Sequence, residues 1–505
     1  MTEPRGMVRE AGRMHTGVVE GFYGKPWSHR DRLDMIRFLG ENGFNMYVYA
    51  PKDDSHIRSR WRGTYPRSYI EGIRQLSQAA ARSSVDFVFT LSPGLDFVYS
   101  EAGDRRLLLD RLTAVIEQGC KWVGVLLDDI PTKLVRAEDR KAFSSLGEAH
   151  ASLLNAIVDG LANSGDVRLL FCPTYYANEY LGRKVGENQY LEEVGTSLDP
   201  RVGVFWTGRH VVSTRITEKD VRGYEAVVRR KPFLWDNYPV NDYYRSGSKK
   251  DKPRLNLGPF KGRDPEILAH LEGYVANPMN EPEASKIPLL TLSDYIHDPV
   301  RYSPEASFES AARRVFSAEK CHDGISLLLD SSRANPLDPS EAEGLGGLVR
   351  RLTEAKTQSG WLGAAKDLRL RFQAYVELKE RLSACTGNDR LLAELDPVLD
   401  KIHGLALLGL GSLDLAERVR FERPSEREVR ALRAQIRKQM HEVRTNRCQV
   451  LGEVSFELGT AVEKSSDKDS VSDLGLPMVE RESPIVRLCL WSMELSSSAG
   501  RNKSE

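Results

Sequence analysis

Asp128 and Asp129 stand side by side at the end of a strand-like run, WVGVLLDDIP, over residues 122–131. Like charges repel, so two carboxylates one backbone step apart call for a reason. A glycosidase that supplies both carboxyl groups itself sets them ~5–5.5 Å apart to retain configuration or ~6.5–9.5 Å apart to invert it, flanking the scissile bond. Such pairs come from different elements, whereas neighbours at one strand end approach a ligand from the same side. They suit substrate assistance instead. There the substrate's 2-acetamido oxygen attacks the anomeric carbon, one carboxylate holds the acetamido N–H, and the other acts as general acid and base. Proximity also predicts that the two pKa values are pushed apart, leaving one carboxyl protonated near neutrality. Taken alone, the pair reads more simply as a strand-to-helix cap. A Mg²⁺ site on the same two residues is the rival metal reading.

Other polar and aromatic residues gather at the ends of similar runs. The segments EGFYG, APKDD, DDIP, PTYY, FWTG, WDNYPVND and ANPM each close a β-type stretch. Carboxylates, amides, aromatic rings and one lysine would meet at one mouth if those stretches were the strands of a (β/α)8 barrel, whose chemistry sits at the C-terminal strand ends. Aromatic faces stack on sugar rings and Asp and Asn bind hydroxyls, so the mixture suits a carbohydrate. A phosphate site would call for a Gly-rich loop opening a helix, and the sequence has no P-loop.

The elements that must position these residues follow from periodicity. Short apolar runs at 18–23, 45–51, 86–93, 122–129, 168–176, 202–208, 232–239 and 273–278 alternate with helical patterns. The first helix is expected between an N-cap at Ser28 and a C-cap at Gly43. Eight βα units over ~280 residues predict a TIM barrel. The run RLNLGPF (254–260) is read as part of a long insertion after strand seven, since YRSGSKKDKP before it is polar and turn-rich. Beyond residue 304 strand signals fade and helical periods dominate, which predicts a helical bundle. The expected domains are a 1–15 extension, a 16–303 barrel, a 304–450 all-α bundle and a polar, partly disordered tail over 451–505, with the apolar island PIVRLCLWSMEL unplaced.

Composition narrows the class. Lys+Arg and Asp+Glu are both 72, so no global basic surface points to nucleic acid. The six cysteines form no CxxC, and the ten histidines form no HExxH or HxH, so neither a disulfide framework nor a zinc site is indicated. The first residues are charged and lack an apolar signal core, and no stretch reaches the ~20 apolar residues of a membrane span. The expectation is a soluble cytoplasmic protein with no metal and no cofactor. Arg-rich stretches near 344–383 and 418–446 read as solvated helix faces.

The stretch GVVEGFYGKPWSHRDRLDMIRFLGENGFNMYVYAPKDD resembles the opening of glycoside hydrolase family 84, the O-GlcNAcase family. The resemblance continues in order through GVLLDDIP, CPTYY, FWTG, WDNYPVNDY, LGPFKGR and NPMNEPEASKIPLLTLSDY. It implies a barrel followed by a helical bundle, and retaining, substrate-assisted removal of terminal β-linked GlcNAc through an oxazoline, without a metal. Carried over residue by residue, it implies that Asp128 orients the acetamido group and Asp129 is the general acid and base. Gly21, through its backbone, and Lys52 would contact sugar hydroxyls, and Tyr176 would lie near the acetamido and glycosidic oxygens. Trp235 and Asn237 would shape the pocket, and Asp242 and Asn277 would hold the hydroxyls at its far edge.

Two departures stand out: Tyr175 replaces an acidic residue common in its block, and the insertion over 243–253 is longer than in short-loop members. Tyr175 reads as packing. The substrate could be a glycoprotein, a glycan or a small glycoside, and family bundles can mediate homodimers. The alternatives are a GlcNAc-binding protein with little or no catalysis on the same scaffold, or a hydrolase of peptidoglycan or hyaluronan fragments.

Overall fold

Alternation along the strands decides which side chains can reach a common centre. The computed structural model describes residues 14–181, 189–242, 254–317, 322–331, 337, 343–422, 424–445 and 483–501. Eight parallel strands close into a barrel in chain order. They are β1 (His15–Glu20), β2 (Met46–Tyr49), β3 (Asp86–Leu91), β4 (Trp122–Leu126), β5 (Arg168–Cys172), β6 (Gly203–Trp206), β7 (Phe233–Asp236) and β8 (Gly273–Ala276). Closure is made by β8 on β1, with His15 opposite Gly273 and Val18 opposite Ala276.

Successive side chains on a strand point to opposite faces. Val19, Met46, Val48, Val88, Trp122, Leu126, Leu170, Cys172, Phe205, Phe233, Trp235 and Val275 form one buried cluster that fills the barrel interior. Their neighbours Val18, Tyr47, Phe87, Phe89, Val123, Val125 and Phe171 belong to a second cluster, shared with the helices outside. Strands buried on both faces explain the near-continuous apolar runs in the sequence.

The barrel helices are α1 (His29–Glu41), α2 (Arg67–Arg82), α3 (Ala102–Ile116), α4 (Ala137–Ala142), α5 (Leu146–Gly160), α6 (Gln189–Ser197), α7 (Glu218–Val228) and α8 (Pro282–His297). Ser28 caps α1 through a reciprocal capping box with Asp31. The helix closes at Asn42, one position before the expected C-cap, and Gly43 follows it with a φ of +81°. The unit after β7 differs from a regular βα repeat. Its crossover is a 3₁₀ turn at Pro265–His270, and residues 254–260 run buried without joining the sheet.

Among the described residues, eight further helices follow: α9 (Pro304–Phe316), α10 (His322–Ser331), α11 (Glu343–Thr353), α12 (Gln358–Val376), α13 (Leu378–Cys385), α14 (Asp389–Glu417), α15 (Glu426–Thr445) and α16 (Pro484–Arg501). They share an apolar core that includes Trp361, Leu368, Phe372, Leu395, Ile402 and Leu405. The same cluster takes in Leu255, Leu257, Met279, Ala284, Ile287 and Leu290, so the bundle packs directly on α8 and on the segment after β7. The apolar island left unplaced by the sequence reading lies in α16. Ile485, Leu488, Cys489, Ser492 and Ser496 are buried at helical spacing, and Arg433 of α15 donates to the Ser496 hydroxyl (2.7 Å) and the Met493 carbonyl (2.9 Å). Residues 451–482 and 502–505 of the expected tail, and 446–450 before it, lie outside the described residues.

Candidate active site

The inward phase of each strand, continued past its C-terminal end, reaches seven of the nine residues singled out from the sequence. From Val19 it passes to Gly21, from Val48 to Lys52, from Leu126 to Asp128, and from Cys172 to Tyr176. From Phe233 it passes to Trp235 and Asn237, and from Val275 to Asn277. Asp129 is out of phase with Asp128 and would by alternation point away. Its backbone instead adopts a φ of +46°, a left-handed turn that Asp tolerates better than most residues. That turn is what lets two adjacent carboxylates face one mouth.

The Lys52 ammonium joins them. It forms an ion pair with Asp128 and stands 3.8 Å from Asp129. The Lys52 and Asp128 side chains are 5% and 9% exposed, against 29% for Asp129, so Asp129 is the carboxylate nearer solvent. Burial works against the Lys52 charge, but Asp128, then Asp129 and Tyr23, hold its pKa above the ordinary lysine range. The Tyr23 hydroxyl donates to Asp129 Oδ2 (2.6 Å) and the Tyr176 hydroxyl to Oδ1 (3.3 Å). Burial pushes the Asp129 pKa up, but Lys52, the Tyr23 hydroxyl, Arg58 and Tyr176 together bring it below the usual value. The expectation of a proton kept by proximity is therefore not met at Asp129: a cation lies beside the two carboxylates, and two hydroxyls stabilise the ionised form. One of the three N–H donors of the Lys52 ammonium is engaged by Asp128.

The opposite wall is a chain of amide contacts. The Trp235 indole N–H donates to Asn237 Oδ1 (3.0 Å), which also accepts from Asn277 Nδ2 (2.9 Å). Asn277 Oδ1 accepts the Gly21 amide (3.2 Å), and Asn237 Nδ2 donates to the Val211 carbonyl (2.8 Å). A Cβ on Gly21 would stand 2.2 Å from the Trp235 ring, so glycine is required for the indole to lie there. Asp242 accepts the Tyr23 amide (2.8 Å), which sets the β1 loop against the loop after β7. Beneath this wall, buried Arg263 holds both oxygens of Asp236 (2.8 and 2.6 Å), fixing the end of β7 next to Asn237.

Sequence reading missed Tyr23 and Arg58. Tyr23 continues the inward phase of β1 beyond Gly21, a signal the alternation carries. Burial pushes its phenol up to about 12, so it stays a donor. Arg58 donates to the Tyr23 hydroxyl (3.2 Å) with its guanidinium 5.4 Å from the ring centre, a tertiary contact invisible in the sequence. Tyr175 points outward and packs edge-on against Tyr190 (5.1 Å between rings). The insertion over 243–253 lies outside the described residues. Among the described residues, no group of three or more His, Cys, Asp or Glu gathers as a metal cluster would need, and no helix is long and apolar enough to cross a membrane.

Comparison with known proteins bears on this arrangement. A family model described as beta-N-acetylglucosaminidase matches residues 16–330. Protein O-GlcNAcase of Rattus norvegicus and of Mus musculus are each 37% identical to it over 290 residues, 57% of this chain and 31% of theirs. The chain thus spans about a third of the length of those curated relatives. Among solved structures, an Asp-to-Asn mutant of the O-GlcNAc hydrolase of Thermobaculum terrenum aligns with a TM-score of 0.82 at 28% identity, over 97% of this chain and 96% of that one. The protein titled CpGH84B aligns with a TM-score of 0.75 at 27% identity, over 87% and 75%.

Proposed function

The chain belongs to the beta-N-acetylglucosaminidase family, and from that membership we propose that it is a retaining exo-β-N-acetylglucosaminidase that removes terminal β-linked GlcNAc by substrate assistance. The observation that carries the reading is the turn at Asp129, which brings its carboxylate beside that of Asp128 at one mouth. Two carboxylates on the same side of one sugar fit one acetamide and one leaving oxygen better than they fit a pair flanking a bond.

In the first step the acetamido oxygen attacks the anomeric carbon and the bond to the leaving oxygen breaks. Asp128 accepts the acetamido N–H and stabilises the positive charge that develops there. Asp129 gives its proton to the departing oxygen. In the second step Asp129 takes a proton from water as that water opens the oxazoline at the same carbon, and configuration is retained. The acid role requires Asp129 to carry a proton when substrate is bound; a sugar filling the mouth displaces water from this carboxyl and so favours its neutral form. Tyr23 and Tyr176 hold the carboxyl in place. Lys52 shares its charge with Asp128, and Gly21, Asp242 and Asn277 hold the ring hydroxyls. Trp235 and Asn237 brace the acetamido side. O-GlcNAc on proteins is the substrate class named for the relatives, and a pocket that reads the sugar leaves the aglycone open to peptide, glycan or small molecule.

The test is hydrolysis of an aryl β-N-acetylglucosaminide against the matching β-glucoside, with a GlcNAc-thiazoline and EDTA added separately. Turnover of the acetamido sugar alone, blocked by the thiazoline and unaffected by EDTA, is the expected result. Tight thiazoline binding without turnover would replace the enzyme with a GlcNAc-binding protein.

A further inference from the structure

Helix α8 begins directly after the loop that carries Asn277 and Asn280, and it has no side-chain cap of its own. Its N-cap residue is Glu281, which makes no capping bond, and Pro282 follows. The first-turn amides of a helix need acceptors from somewhere. Here they come from the bundle: Glu394 of α14 accepts the Glu283 amide (3.2 Å) and the Ala284 amide (2.7 Å), one on each carboxyl oxygen. The two amides and the helix dipole favour negative charge there, but burial, with Glu281 and Glu283 nearby, pushes the Glu394 pKa up to about 8; either form presents oxygen lone pairs to the two amides. Its neighbours on α14 reinforce the seam. Arg390 pairs with Glu283 (3.0 Å) and reaches Asp31 of α1, and Asn388 donates to Glu283 (3.1 Å).

The Glu281 side chain is turned toward the loop after β7 instead. It accepts from Asn241 Nδ2 (2.8 Å), whose Oδ1 accepts the Asn280 amide (3.2 Å). Asn280 Nδ2 in turn donates to the Tyr23 carbonyl (3.0 Å), on the residue whose hydroxyl holds Asp129. An unbroken path of hydrogen bonds and short chain segments therefore leads from the bundle to the site.

We propose that Glu394 is a positioning residue for the sugar pocket: it caps α8 from the bundle and so holds the loop bearing Asn277 and Asn280 against Tyr23. This makes the bundle part of the catalytic unit rather than an appendage. The consequence for catalysis rests on the hexosaminidase reading; the consequence for the loop does not.

The experiment uses the full chain with Glu394→Ala, Glu394→Gln and, as a control for general loosening of the bundle, Arg369→Ala, which removes an ion pair to Asp414 (3.4 Å) on the far part of α14. Amide exchange over residues 277–284, GlcNAc-thiazoline affinity, KM and kcat are read together. Glu394→Ala is expected to speed exchange in that segment at least tenfold, and to weaken thiazoline binding and raise KM roughly tenfold, with kcat changed less than threefold. Glu394→Gln, which keeps one acceptor, falls between, and it carries the test alone if the alanine variant does not fold. Arg369→Ala leaves all four within about twofold. Unchanged exchange in a folded Glu394 variant, or an equal response to Arg369→Ala, would overturn the proposal. A wild-type protein that neither turns over nor binds the thiazoline would sink the functional reading, while the exchange result would still decide the cap.

Discussion

Lys52 and Asp128 form an ion pair in which both side chains are all but sealed from solvent, directly beneath the more open Asp129. Such a pair costs desolvation to form, and removing one member leaves the other charge stranded. Replacing Lys52 with Met is therefore expected to reduce folding stability by about 3 kcal/mol in urea titrations at neutral pH. The same change withdraws the largest of the influences that hold the Asp129 pKa down. A stability loss under about 1 kcal/mol would show that the ammonium is not committed to Asp128 as described.

Gly21→Ala tests the wall rather than the carboxylates. The new methyl would meet the Trp235 ring at 2.2 Å, so either the indole or the β1 loop must move. Displacing positioning groups by about 1 Å costs on the order of 100-fold, and kcat/KM is expected to fall by that much. A variant within twofold of wild type would mean that the indole yields without consequence.

The Tyr23 hydroxyl is a donor to Asp129 and so favours its ionised form. Tyr23→Phe removes that donor, and the Asp129 pKa must rise. In a pH profile of kcat/KM the limb that reports loss of the acid's proton is then expected to move to higher pH. A limb that stays in place while overall activity falls would assign Tyr23 to packing or substrate contact and remove it as an influence on the acid.

What the sequence disclosed, and what it hid, follows from how local each feature is. The barrel was readable because its strands are buried on both faces, and because Gly21, Lys52, Asp128, Tyr176, Trp235 and Asn277 keep the inward phase set by the strands before them. Asp129 was found from its neighbour and a family resemblance; the left-handed turn that aims it is a backbone property no residue type announces. Tyr23 was within reach of the same count along β1. Arg58 and Glu394 were not, since each acts across a tertiary contact, 35 residues from Tyr23 in one case and 110 from Ala284 in the other. Helix α16 was obscured by the long polar, Ser-rich stretch before it, although Ile485, Leu488, Cys489 and Ser492 carry the helical spacing.

Asp129→Ala separates acid catalysis from the rest of the mechanism. A phenol bearing electron-withdrawing groups leaves without much help, whereas an alcohol such as a serine side chain needs a proton. The variant is expected to lose most turnover of the poor leaving group, roughly 10²–10⁴-fold, and far less of the activated one. Equal losses on both would take the general-acid role away from Asp129.

The central claim is that the substrate supplies its own nucleophile while two neighbouring aspartates serve it. The most direct measurement is the rate of wild-type turnover on aryl glucosaminides whose N-acyl group carries zero, one, two or three fluorines. Each fluorine weakens the acyl oxygen as a nucleophile and leaves the leaving group untouched. The account predicts a steep, regular fall in kcat across the series, abolished or flattened in Asp128→Ala. A wild-type rate that does not respond to fluorination would contradict it, and would return the two aspartates to an enzyme-borne nucleophile or to binding alone.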